Sequence, residues 1–292
     1  MTDATRSGTP AILVEDLRFS YGDLEAVKGI SFDVQPGEVL GFLGPNGAGK
    51  STTIKMLTGQ MAPKSGKAAV LGIVITADDP ELQARIGVCF EEKNLYLNMS
   101  AKENLEFFAS LFGIKDANAE EVLRRVGLAD RAKDRVKTFS KGMRQRMMIS
   151  RAFINKPDVL FLDEPTDGLD PVTSASIRKT IKEEAERGAA VLLTTHDMFE
   201  ADELSDRVAF INDGRIVALD TAENLKLKYG TRSVKVRLRD GNGVREEILP
   251  LGDGSSERLA ELAASPDLLT IHTEEATLEQ IFIQLTGRGL EG

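Results

Sequence analysis

The stretch Gly44-Pro45-Asn46-Gly47-Ala48-Gly49-Lys50-Ser51, continued by Thr52 and Thr53, constrains this chain more than any other. It fits G-x-x-x-x-G-K-[ST], a loop that cradles phosphates where it joins a strand to a helix. Glu38 to Leu43 before it is apolar and of strand length, and Ser51 to Thr58 can continue as a helix. Glycines let backbone N–H groups turn inward around a phosphate, and the helix N-terminus adds partial positive charge. Lys50 can then reach the β- and γ-phosphates, while the Ser51 hydroxyl can ligate Mg²⁺. A glycine-rich turn without a ligand is the alternative; the lysine, the hydroxyl and both flanking elements weigh against it.

A second feature lies more than a hundred residues on. Val159-Leu160-Phe161-Leu162 is an apolar run of the kind a parallel sheet covered on both faces requires, and it opens into Asp163-Glu164-Pro165. An aspartate there suits Mg²⁺ binding beside a phosphate loop, and Glu164 can orient or deprotonate a water. Acidic residues at a strand end are also common turn formers. Val191 to Thr195 reads as another buried strand, with His196 at its carboxyl edge, where ligand sites of open α/β sheets lie. His196 is one of only two histidines; the other, His272, sits in the strand-like Leu268 to Thr273 and reads as structural.

The rest of the chain is organised around these points. Ile12 to Tyr21 and Ile30 to Val34 read as strands about the turn Tyr21-Gly22-Asp23, followed by Lys67 to Val74 and Arg85 to Phe90. Tyr21 could stack on an adenine face or be a core or turn tyrosine; its spacing leaves both open. Helical patterns occupy Ala101 to Phe112, Ala119 to Val126 and Ser140 to Ile154, a helical block inserted at about 99–157 before the sheet resumes. Between Glu121 and Arg151 stand ten Lys or Arg against three acidic residues, which reads mostly as a solvated face. Pro171 to Arg187 is a helix with Asp170 as N-cap. Asn212-Asp213-Gly214 turns a hairpin of Val208 to Ile211 and Arg215 to Leu219. A helix at Ala222 to Tyr229 ends at Gly230. Beyond it come strands Ser233 to Arg239 and Val244 to Leu249, a helix near Glu257 to Ala264, the strand with His272, and a helix Leu278 to Leu285. The expected division is a flexible start (1–10), a main α/β domain (11–230) and a small C-terminal α/β domain (231–292).

Composition sets limits. The net charge of −9 makes the chain a poor polyanion binder, and the tail after Gly230, with 7 basic and 11 acidic residues, lacks a nucleic-acid signature. No run approaches the roughly 18 apolar residues a spanning helix needs, and the start resembles no signal peptide. The single cysteine, Cys89, excludes an internal disulfide and reads as a small buried apolar residue in a reducing, cytosolic compartment.

Taken together these motifs resemble the ATP-binding cassette (ABC) ATPases over Ile12 to Gly230. The resemblance implies an α/β P-loop NTPase core with an N-terminal antiparallel β subdomain and an inserted helical subdomain. Tyr21 matches the aromatic A-loop, and Phe139-Ser140-Lys141-Gly142-Met143 with Arg144-Gln145-Arg146 the signature segment. Gly168-Leu169-Asp170 matches the D-loop and His196 the switch histidine. The implied roles follow residue by residue. Gly44 to Gly49 and Lys50 bind phosphates of ATP, Thr52 the α-phosphate, and Ser51 and Asp163 the Mg²⁺. Glu164 acts as general base, and His196 holds the γ-phosphate. Ser140 and Gly142 reach the nucleotide of a second cassette apposed head to tail. Glu91 stands where the family has a glutamine; a carboxylate there can ligate Mg²⁺ or order water, and either weaken ATP binding or tighten Mg²⁺. Lys141 is a cation near the partner's phosphates or a solvent-facing lysine.

The variants at Glu91 and in the signature, together with the tail, resemble ATPase subunits of ABC-2-type exporters. Those work with a separate transmembrane permease, on the inner face of the cell membrane, as homodimers or with a paralogous cassette. The expected function is an ATP-driven exporter motor whose permease docks beside Glu91 and the helical block. A soluble ABC-type ATPase and an ATP-sensing regulator are the alternatives.

Overall fold

The computed structural model describes residues 8–75, 79–90, 94–114, 117–230, 233–241, 243–251, 255–287 and 289. Glu91 and residues 1–7 of the expected flexible start lie outside them. The chain packs as two compact units, one running to Leu219 and the other from Asp220 to Gly289. The boundary read from sequence, Gly230, falls one helix later, because Ala222–Tyr229 packs against the last helix of the second unit.

In the first unit β1 (Ile12–Tyr21) and β2 (Leu24–Val34) form an antiparallel hairpin. Its turn is tight because Gly22 takes a φ of 57°. β3 (Val39–Leu43) leads through the glycine loop into α1 (Lys50–Leu57). β4 (Ser65–Val70) and β5 (Ile73–Val74) complete a sheet ordered β2-β1-β4-β5. The expected single strand Lys67 to Val74 is thus two, since Leu71 and Gly72 turn back with φ of 54° and 78°. The strand expected from Arg85 is preceded by α2 (Pro80–Arg85), capped by Asp79 with proline at its first position, so β6 covers Ile86–Cys89. The helical block holds α3 (Ala101–Leu111), α4 (Ala119–Arg125) and α5 (Lys141–Phe153), capped by Ser100, Asn118 and Ser140. β7 (Val159–Asp163), α6 (Pro171–Glu186) and β8 (Ala190–Thr195) follow. Next come α7 (Met198–Leu204), β9 (Arg207–Asn212) and β10 (Arg215–Asp220). The short helix α7 was not foreseen from the periodicity.

The main sheet runs β10-β9-β3-β8-β7-β6, with β9, β3, β8, β7 and β6 mutually parallel. Every residue of β3, β7 and β8 is buried, and their alternation divides two cores. Leu160, Leu162, Val191 and Leu193 face the helical block and α6. Leu40, Phe42, Val159, Phe161 and Leu192 face α1 and the antiparallel sheet. A sheet buried on both faces exposes only its edges, so polar chemistry collects at the strand ends. Among the described residues no helix is long and apolar enough to cross a membrane.

Of the ten basic residues between Glu121 and Arg151, Arg124, Arg131, Lys133, Arg135, Lys137 and Lys141 are exposed, as a solvated face requires, and four are half-buried with internal partners. Arg144 donates to Lys137 O, Arg146 to Val126 O and Gly127 O, and Arg151 to Asn94 O. Arg125 reaches the buried Glu184 of α6 at 2.5 Å and lies over the Phe153 ring.

The second unit consists of α8 (Ala222–Tyr229), β11 (Ser233–Asp240), β12 (Gly243–Pro250), α9 (Ser256–Ala263), β13 (Leu268–Glu274) and α10 (Leu278–Thr286). β11 lies between β12 and β13, and its alternate residues Val234, Val236 and Leu238 form a small core with Leu262. His272 is exposed on β13, paired in register with Lys235.

Candidate functional site

Three neighbouring strands end at one level. Leu43 is in register with Thr195, and Asp163 with Thr194. Gly44, Glu164 and His196 therefore leave the same carboxyl edge side by side, although up to 152 positions separate them in the chain.

The loop from Gly44 to Gly49 requires its glycines for stated reasons. Gly49 has φ of 105°, and a Cβ there would lie 2.6 Å from Ala26 O; one on Gly44 would lie 2.1 Å from Ile211 O. Pro45, Asn46, Gly47 and Ala48 span the loop between them, closed by Ala48 N donating to Pro45 O. Lys50, 5% exposed, donates to Gly44 O at 2.5 Å and Pro45 O at 3.4 Å. Its Nζ also lies 3.3 Å from Glu164 Oε1, a charge contact without hydrogen-bond alignment, so that oxygen keeps an unused acceptor site. Ser51 and Thr52 occupy the first turn of α1, and the Tyr21 hydroxyl stands 3.5 Å from Thr52 Oγ1. Tyr21 is 49% exposed, with its ring in a T-shaped contact with Phe19, so it is no core residue.

Glu164 sits in the left-handed region with φ of 49°, a conformation that costs a non-glycine residue on the order of 1 kcal/mol. The strand next door holds it there: Glu164 N donates to Thr194 O and Thr194 Oγ1, both at 3.2 Å. Its Oε2 lies 2.9 Å from His196 Nδ1 and also accepts from His196 N at 3.4 Å. A carboxylate can only accept, so Nδ1 is the donor in this contact and Nε2 is left to face another group. Asp163, 2% exposed, accepts from Thr194 Oγ1 at 2.5 Å. A cavity of about 460 Å³ runs from Ser51 and Asp163 to Phe90, Asn94, Phe108 and Arg151.

Ser140, Lys141, Gly142 and Asp170 form a second group. Ser140 caps α5 by accepting from Met143 N, Lys141 pairs with Asp167 at 3.3 Å, and Gly142 lies against Leu169. Asp170 caps α6, and the Thr173 hydroxyl and N–H hold its carboxyl below the ordinary range. Gln145 links the two groups: buried on α5, it donates to Glu164 O at 3.3 Å and Pro165 O at 3.2 Å. Thr194 and the buried Glu200 were not singled out from sequence, and Gln145 was named only within the signature segment, without a role. Two threonines closing an apolar strand were the available signal for Thr194; a polar residue within a helical pattern carries none.

The arrangement can hold a polyphosphate on the loop and Lys50, and place a carboxylate and an imidazole beside it. The ABC transporter family profile matches residues 27–167. The chain is 44% identical to the fluoroquinolones export ATP-binding protein of Mycobacterium tuberculosis, over 98% of this chain and 97% of that one. It is 36% identical to the linearmycin resistance ATP-binding protein of Bacillus subtilis, over 94% and 98%. The dimeric structure of a post-hydrolysis ATP-binding cassette bound to ADP and Pi superposes with a TM-score of 0.66 at 26% identity, covering 72% of this chain and 98% of that one. The chain belongs to the ABC transporter family as an ATP-binding subunit, an ATPase with the cassette fold.

Proposed function

We propose that this chain is the ATP-hydrolysing motor of an exporter, working as a pair of cassettes with a separate membrane-spanning subunit at the inner face of the cell membrane. One observation carries the hydrolytic part: Lys50, Glu164 and His196 meet within 3.3 Å on one sheet edge. The names of the relatives support the direction of transport. Their full-length match includes the second unit, which supports an exporter-type chain over an importer motor.

The loop amides and Lys50 bind the phosphates, with Thr52 at the α-phosphate and Tyr21 under the adenine. Glu164 Oε1 takes the proton of the attacking water, and His196 Nε2 contacts the γ-phosphate. The donor set also fits Mg²⁺. Among the described residues no three His, Cys, Asp or Glu form a metal cluster, and this ion is ordinarily held by one or two carboxylates and the nucleotide's own phosphates. Asp163 would supply one such carboxylate and Ser51 a hydroxyl, both lining one cavity, and the bound ion would neutralise phosphate charge. Ser140, Lys141, Gly142 and Asp170 meet the nucleotide of the second cassette. Glu91 remains a candidate ligand of Mg²⁺ or water on the sequence reading alone. The groove from Phe90 to Phe108 and Arg151 receives a cytoplasmic segment of the permease.

A nucleic-acid role is disfavoured by the net charge of −9, and Arg125, Arg146 and Arg151 of the helical block are engaged by Glu184 and by carbonyls. The test is affinity purification of the tagged chain from native membranes in mild detergent. A polytopic membrane protein at near-equal amount is expected; recovery of a clean soluble chain or of ribosomal proteins would overturn the transport reading.

A further inference from the structure

We propose that Glu200 is a positioning residue for hydrolysis, its buried carboxylate tying the turn that carries Glu164 to the strand end that carries His196. The inference rests on the hydrolytic reading above. Glu200 lies on α7 and is 1% exposed. Its Oε1 accepts from the Thr166 hydroxyl at 2.7 Å, and its helix follows directly on the strand end that carries Thr195 and His196. Thr166 stands two residues after Glu164, and Thr195 immediately before His196. Thr195 Oγ1 in turn accepts from Asp197 N at 3.0 Å. One carboxylate therefore bridges the segments after β7 and β8, and the 2.9 Å pairing of Glu164 with His196 depends on those segments keeping their offset.

A purely structural role is a poor account of this group. Among the described residues no cation pairs with Glu200, and a buried carboxylate without one weakens a fold. Burial, with the nearby charges of Asp197 and Glu164, pushes its carboxyl above the usual carboxylate range. A leucine of similar size would pack there at less cost, so the polar bridge is retained for what it positions.

The test compares Glu200→Gln, Thr166→Val, their double variant and Glu164→Gln in the full chain. Gln keeps the shape and replaces one acceptor by a donor; Val deletes only the hydroxyl. A displaced base costs on the order of tenfold or more in turnover, so each single variant is expected to lose about that in kcat while its Kd for a non-hydrolysable ATP analogue stays within about twofold. The double variant is expected to fall no further than the worse single one, because both act through one contact. The imidazole resonance of His196 should shift in both variants while that of His272, the only other histidine, stays in place. Folded Glu200→Gln and Thr166→Val proteins with parental kcat and an unmoved His196 resonance would overturn the proposal, provided Glu164→Gln still arrests turnover. Parental turnover in Glu164→Gln would remove the hydrolytic reading and this inference with it. Should Glu200→Gln not fold, Thr166→Val decides alone.

Discussion

Replacing Thr194 by valine isolates one hydroxyl on which the site is built. Thr194 is fully buried in β8; its hydroxyl donates to Asp163 Oδ1 at 2.5 Å and accepts from Glu164 N at 3.2 Å. Valine has the same shape, so no cavity opens and the packing term is near zero. The variant loses a hydrogen bond to a carboxylate that is 2% exposed and has little water to replace it. Hydrogen bonds to charged groups contribute about 1.5–3 kcal/mol, and the Glu164 amide keeps Thr194 O, so about 2–3 kcal/mol is expected in total. For a unit of this size, about 2–4 °C per kcal/mol gives a fall of about 4–12 °C in Tm. Calorimetry of the full chain should show it in the transition of the larger unit, since two units need not melt together. On the proposed Mg²⁺ site, Mg²⁺·ATP would place a cation on the same carboxylate and should shrink the deficit. Thr194→Ser keeps the hydroxyl and should retain turnover where Thr194→Val loses it. A valine variant melting within about 1 °C of the parent, with parental turnover, would refute the reasoning.

Lys50→Ala should weaken ATP binding by about 10- to 100-fold, the loss of one or two charge-assisted bonds, read by calorimetric titration; unchanged affinity would undo the phosphate site. Glu164→Gln should bind ATP normally, lose about 10²–10⁴ in turnover, and accumulate an ATP-dependent dimer on size exclusion. Sustained turnover there would sink the general-base role. A chain ending at Leu219 should still unfold cooperatively in denaturant; a non-cooperative melt would show that the first unit is not self-sufficient.

Reading the sequence reached different depths at different places. The glycine loop and the runs Val159 to Leu162 and Val191 to Thr195 were legible because sterics and two-sided burial write themselves locally. Lys67 to Val74 hid a turn, because Leu71 is an apolar residue taking a glycine-like backbone, which no apolar pattern reveals. The helix before β6 was missed because α2 is only six residues long, too short for its period to show. Partners were hardly legible at all. Thr194 and Asp163 are 31 positions apart, Gln145 and Pro165 20, and Thr166 and Glu200 34.

The sequence by itself therefore determined the chemistry on offer: a phosphate loop with its lysine, two acidic residues after a buried strand, and a histidine after another. Residue type and short-range spacing encode these, and the family follows from them. Only the tertiary structure decided that the three strands end at one level, that Thr194 holds the acidic turn, that Glu200 bonds Thr166, and that Arg125, Arg144, Arg146 and Arg151 find internal partners. The parallel sheet sets those offsets through hydrogen bonds between strands distant in the chain, and no local pattern records a register between distant segments.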